Sequence, residues 1–191
     1  MKSNFIKNLF KHLRLVHIHR RNVRRMCFKM RIPIRGLLHD LSKYSWKELS
    51  ICKYYDGTRS PHEIARRELG SSPSWMYHKA KNKHHWEFWT DNNSDAKFYA
   101  VKMPYKYMLE SFCDMVGASK AYKGKNYTDS SPLQYFEGQM FKRLYHEKTR
   151  KTLLLLFKRL SDLGEKEFLK WYKQNREVIK KYYNQKENTN G

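Results

Sequence analysis

The chain has 191 residues, 40% hydrophobic and 15% aromatic, which is enough for one domain with an aromatic core and too apolar for a disordered polymer. Lys and Arg number 40 against 18 Asp and Glu, a formal charge of +22 that attracts polyanions but does not set a fold. Three cysteines without CxxC spacing argue against a disulfide framework or zinc ribbon and for a reducing cytoplasm, and no apolar run is long enough to cross a bilayer.

In chain order, Phe5, Leu9, Leu13, Val16, Val23 and Cys27 recur at helical spacing and predict an amphipathic first helix. Residues 1–39 lack Asp and Glu and superficially resemble a mitochondrial presequence, but they carry this ordinary core stripe. Pro33 and Gly36 punctuate the helix, and a second helix is expected over GLLHDLSKY. Ser45 with Glu48 reads as a capping box opening a helix through Tyr55, closed by Asp56–Gly57. Ser60–Pro61 starts a short helix that Gly70 ends, and Ser72–Pro73 starts another from about Ser74 to Trp89. Asp91 to Asp95 is a polar loop. Pro104 precedes a helix from about Tyr105 to Tyr122, and Pro132 begins the next. Leu153–Leu156, Phe157, Leu160 and Leu163 make a packing helix ending near Gly164. A last helix runs from Glu165 to Tyr183, before a polar, frayed tail at 184–191. No alternating strand pattern, repeat or phosphate-binding glycine loop is present. The fold class is therefore all-α, as a single domain over residues 1–183.

Seven residues carry the chemistry. His39–Asp40 occupies GLLHDLSK, and Lys43, four residues beyond His39, shares its face if the segment is helical. A lone His-Asp pair is usually incidental. His78 and His85, seven apart, fall on one helical face, with His84 beside it. Asp114 interrupts the apolar stretch MLESFCDMVGA, where an isolated carboxylate costs several kcal/mol unless it is paired or metal-bound. Gly117 and Ala118, one turn on, leave room for a close neighbour. His17 and His19 compete for the remaining ligand position. His12, His62 and His146 read as surface residues. Imidazoles and carboxylates in this number point to manganese, iron, nickel or zinc.

The order His19-x-x-x-Val23, His39–Asp40 with Lys43, His78, His84–His85 and Asp114-x-x-x-Ala118 resembles the HD superfamily of metal-dependent phosphohydrolases. Its HD-GYP branch, with an HDxGK core, a later HHE and a final DxxxA, is the nearest likeness. The phrases GLLHDLSK, NKHHWE, KMP and CDMVGASKAY are also similar to an uncharacterised bacterial and phage family of HD-like proteins, some of which carry a catalase label; nothing here points to haem. The resemblance covers about residues 15–123 and implies a helical bundle, to which packing helices over about 132–183 are added. It implies two divalent ions. His19, His39, Asp40 and Asp114 would hold one, and Asp40 would bridge to a second held by His78 and by His84 or His85. Asp40 takes part in the chemistry, with Lys43 and Lys83 offsetting charge on the phosphoryl group. The Gly-Tyr-Pro element is missing, and HHWE replaces HHE, which argues against cyclic di-GMP as substrate.

The expected function is hydrolysis of a phosphate ester or phosphodiester, nucleotide or nucleic-acid related, with no membrane partner. Two other readings share the sequence. An HD-type di-iron oxygenase would use the same ligands. A basic nucleic-acid-binding protein with a structural metal site would use FLKWYKQNREVIKKYY, where lysines interleave with aromatics.

Overall fold

In the computed structural model, which describes residues 5–55 and 60–185, the chain is all-α apart from one two-stranded hairpin. Helix α1 (Phe5–Lys29) buries Val16, Val23, Met26 and Cys27 along the expected stripe, and His19 lies on that same buried face. After Arg31, at φ 63°, α2 (Pro33–Leu38) begins on its proline, whose missing N–H costs nothing at the first helical position. It stops one residue before His39, so the helix expected across GLLHDLSKY is in fact two pieces. Asp40 takes left-handed angles (φ 52°, ψ 31°), and a 3-10 turn follows over Leu41–Tyr44.

The capping box does not form. Ser45 makes no side-chain cap bond, α3 spans only Trp46–Leu49, and a 3-10 turn over Ser50–Tyr54 replaces the rest of the expected helix. Glu48 instead accepts from His78 Nδ1 at 2.8 Å, since a buried carboxylate–imidazole bond outweighs a cap bond to one amide. The stop expected at Asp56–Gly57 lies outside the described residues. Next come α4 (Pro61–Leu69), closed by Gly70 at φ 72°, and α5 (Pro73–Lys81), opened by Ser72 Oγ accepting from the Trp75 amide.

Helix α5 is shorter than its sequence implied. Asn82 turns extended (φ −112°, ψ 98°), and its amide donates to the His78 carbonyl and to Ser42 Oγ, which stops the helix before the tandem histidines. A 3-10 turn over Trp86–Trp89 leads into β1 (Thr90–Asn92), paired antiparallel with β2 (Phe98–Ala100). Asn93 Oδ1 accepts from the Asp95 and Lys97 amides and organises the connection. Strands of three residues are too short to show alternation in the sequence.

Helix α6 (Tyr105–Lys123) is the central element, burying Met108, Leu109, Phe112, Met115 and Val116. It meets α1 so closely that a Cβ at Gly117 would lie 2.4 Å from Val23 Cγ2 and 2.9 Å from the Val23 amide nitrogen. Helix α7 (Ser131–Met140) starts at the expected proline. Helix α8 (Glu147–Asn184) is broken at Gly164 (φ 71°, ψ 160°), where the sequence predicted one helix to end and another to begin. Asp129 Oδ2 accepts from the Glu165 amide at 2.9 Å across that break, and the Glu165 carboxylate pairs with Lys29 and Lys120, tying α8 to α1 and α6.

The core is aromatic, as composition required: Phe112 meets Phe157 and Phe168, and Phe157 meets Phe136, with ring centroids 4.9–5.5 Å apart. Phe168, Tyr172, Ile179 and Tyr183 face this core, while Lys170, Lys173, Lys180 and Lys181 face solvent. The lysine-interleaved segment is thus a solvated face over a packed stripe. All three cysteines are free and buried, and among the described residues no helix is long and apolar enough to cross a membrane.

Candidate metal centre

Four elements converge on one point. His19 comes from α1, His39 and Asp40 from the break after α2, His78 and His84–His85 from the end of α5 and the turn beyond it, and Asp114 from α6. The choice between His17 and His19 is made by the helix turn. His17 is exposed against Tyr44 OH at 3.2 Å, whereas His19 is buried and points into the cluster. Arg20, the next residue, donates to the carbonyls of His39 (2.8 Å) and Leu37 (3.2 Å) and so anchors the irregular turn.

The donor atoms form two groups that share Asp40. In the first, His19 Nε2 lies 3.2 Å from His39 Nε2, 3.5 Å from Asp40 Oδ2 and 3.2 Å from Asp114 Oδ1. His39 Nε2 lies 3.4 Å from Asp40 Oδ2 and 3.3 Å from Asp114 Oδ1. A tetrahedral ion with bonds of about 2.0–2.1 Å sets its donors about 3.3 Å apart, so these four atoms already have the spacing of a ligand shell. In the second group, Asp40 Oδ1 lies 3.5 Å from His78 Nε2 and 3.6 Å from His84 Nε2, while His78 Nε2 and His85 Nε2 are 2.8 Å apart. Both tandem histidines therefore belong to the second group, not one of them.

Asp40 is 1% exposed, yet its Oδ1 has no hydrogen-bond partner, and neither does His84 Nε2. Buried polar atoms are rarely left unpaired, and two orphans facing each other at 3.6 Å fit a cation between them. The residues present thus fit two divalent ions.

Carboxylates behind the ligands orient them. Glu110 Oε1, one turn before Asp114, accepts from His39 Nδ1 at 3.1 Å and lies 3.4 Å from His84 Nδ1; its other oxygen takes Arg35 Nε at 2.7 Å. Glu48 does the same for His78 Nδ1. Each bond places the Nδ1 proton on the carboxylate side and turns Nε2 toward the shared centre. Glu110, His39 and His84 also form a possible ligand group of their own, but the Arg35 guanidinium already neutralises Glu110, so it serves as an outer partner. Sequence reasoning missed Glu110, Glu48 and Arg35 in these roles. Glu110 carried the one available signal, a second carboxylate in the apolar stretch around Asp114.

The field is strong. Burial opposes charge on His39, but Asp40, Asp114 and Glu110 outweigh it and hold its pKa up to about 10. Burial likewise disfavours the Asp40 and Asp114 carboxylates, yet the imidazoles, and for Asp40 also Lys43, keep both well below the usual carboxylate range. Glu110 is pushed down to about 2 by His39, His84 and Arg35 against its own burial. Burial and Lys43 lower His78, and burial with His84 and His78 lowers His85, so both are poised as neutral ligands.

The cluster forms the floor of a cavity of about 690 Å³. Lys43 lines it, with Nζ 3.2 Å from Asp40 Oδ2. Lys83 does not; it is exposed, with Nζ 5.2 Å from the Phe88 ring centroid, because the turn after Asn82 swings it away from the histidines. His12 and His62, expected at the surface, are cavity-lining, and burial lowers their pKa values to about 4 and about 3. His146 caps α8, its ring accepting from the Lys148 amide.

Residues 8–159 match a protein family described only as a family of unknown function, DUF5662, and the chain belongs to that family. No curated protein and no solved structure matches it.

Proposed function

We propose that this protein is a metal-dependent phosphohydrolase of HD type, acting on a phosphate ester or phosphodiester. The observation that carries the proposal is the division of Asp40 between two ligand groups, Oδ2 toward His19 and His39 and Oδ1 toward His78 and His84. His19, His39, Asp40 and Asp114 would hold one ion, and Asp40, His78, His84 and His85 a second. Two such ions supply an activated water near neutral pH and electrostatic stabilisation of attacking and leaving oxygens.

The chain's own residues do the rest. Burial disfavours the Lys43 ammonium, but Asp40, Glu48 and Asp114 outweigh it and keep the side chain protonated beside Asp40, where it faces the cavity and can meet a phosphoryl oxygen. Arg66, Lys123, Lys142 and Arg143 line the same cavity, which gives an anionic substrate a favourable path inward. That cationic lining supports an anionic substrate, as phosphate chemistry requires. It also gathers positive charge in a pocket, whereas on the basic segment of α8 Phe168, Tyr172 and Tyr183 are turned into the core and Tyr182 alone of the tyrosines is exposed.

Metal content of the purified protein, with and without Asp40→Ala, tests the reading together with phosphate release from p-nitrophenyl phosphate and bis-p-nitrophenyl phosphate. The expected result is two ions per chain in the wild type, loss of both in Asp40→Ala, and a fall in rate of at least about a hundredfold. Iron-dependent oxygen uptake without phosphate release would replace hydrolysis with an oxygenase. Full hydrolysis in Asp40→Ala would sink the proposal.

A further inference from the structure

The cavity has a second polar pole, built from the chain beyond α6. Arg143, just past α7, lines the cavity together with Tyr135 and Tyr145. Its Nη2 donates to Tyr135 OH at 2.7 Å, and its Nη1 donates to Tyr145 OH at 3.4 Å and lies 3.9 Å from Met115 Sδ. The guanidinium also lies 5.2 Å from the Tyr135 ring centroid, so its plane is held between neutral partners. Among the described residues no carboxylate lies within 4.0 Å of it, although Lys29, Lys120, Arg35 and Arg67 all have one. Glu87 is, among the described residues, the one acidic group on the cavity wall outside the ligand cluster. Lys142 and Lys123 add positive charge to the same lining.

A fork-shaped cation, half-buried, fixed by phenols and lacking an acid, has the form of a receptor for a planar or tetrahedral anion. The metal ligands sit elsewhere in the same cavity and take up a phosphoryl group under the proposed function. We infer that Arg143, with Tyr135 and Tyr145, binds a second anionic group of the substrate, so that the substrate is a phosphate ester whose leaving portion itself carries a phosphate or carboxylate. This rests on the phosphohydrolase reading for the first anion only; the Arg143 subsite stands on its own geometry. It also assigns substrate selection to the segment after α6, outside the part of the chain that supplies the metal ligands.

Calorimetry on the metal-loaded full chain, with propane- to hexane-spaced α,ω-bisphosphonates against alkylphosphonates of equal length, reads both anion sites without turnover. At least one bisphosphonate should bind about tenfold tighter than its single-headed partner, and Arg143→Met should remove that advantage. Arg143→Lys, which keeps charge and stem, covers the case in which methionine there unfolds the chain, and should reduce the advantage about threefold or more because the fork is lost. No advantage for any spacer, or an advantage that survives both substitutions, overturns the inference and leaves the metal reading intact. If no alkylphosphonate binds the loaded protein, the phosphohydrolase reading fails instead. The subsite is then judged on the bisphosphonates alone: binding that depends on Arg143 keeps it, and absence of such binding overturns it.

Discussion

Asp40 holds a backbone conformation that non-glycine residues seldom adopt, and aspartate is one of the few that tolerate it. The strain has a use, since only at a break between helices can adjacent side chains turn toward the same point and one carboxylate serve two ligand groups. His39 shows the electrostatic consequence. With its pKa near 10 it is cationic at neutral pH when no ion is bound, so an ion entering the first group must displace a proton from it. Metal titrations in buffers of different ionisation enthalpy should therefore show release of about one proton per chain at pH 7 from this residue, and affinity that rises with pH. Release of none would mean that His39 is neutral there. The stability term has the opposite slope. The raised folded-state pKa makes His39 a stabilising charge in the metal-free protein below its unfolded value of 6.5, a contribution lost as pH climbs through about 10. Asp114 was legible at this scale from local apolarity, whereas the His39–Asp40 pair, incidental by itself, was nominated by the motif order it shares with HD-type proteins. Lys83 was misplaced because its position was inferred from a helix that Asn82 ends.

At the scale of elements, the site depends on how closely α1 meets α6. Gly117→Ala would gain about 1 kcal/mol of helix propensity, but its methyl would press on the Val23 side chain and backbone, and overpacking of that kind costs about 1–3 kcal/mol. The clash should win, because one of the atoms struck is a main-chain nitrogen that cannot rotate aside. We expect a net loss of up to about 2 kcal/mol in urea denaturation and weaker metal binding, since His19 and Asp114 lie one turn before the contact. A stabilised variant would show that the helices separate freely. Helices α1, α4, α6 and α7 could be read from periodicity, prolines and glycines, as could the division of α8 at Gly164. The early end of α5 and the failed capping box could not. In each, a side chain had a stronger partner far along the chain, Ser42 for Asn82 and His78 for Glu48, and no local rule registers that.

For the whole molecule, a buried centre of three carboxylates and five imidazoles is a poor core until cations fill it. Saturating manganese, at about a hundred times its dissociation constant, should stabilise the folded chain by about 2.7 kcal/mol per site, or roughly 5–10 °C in Tm for a chain of this size. A chelator should reverse the shift, and Asp40→Ala should abolish it. Equal melting temperatures with and without metal would show that the centre is satisfied by its own ion pairs, as Arg35 and Lys43 already satisfy Glu110 and part of Asp40.

Composition and periodicity were enough to establish an all-α chain with an aromatic core and a basic surface, because burial of apolar stripes is decided by spacing along each helix. The order of histidines and aspartates was enough to nominate the ligands. Which nitrogen of each imidazole faces inward, how Asp40 divides its oxygens, and that Glu110 and Glu48 stand behind the histidines depend on side chains brought together from residues dozens of positions apart. Hydrogen bonds and ion pairs act over about 3 Å, and only the folded chain brings those atoms that close.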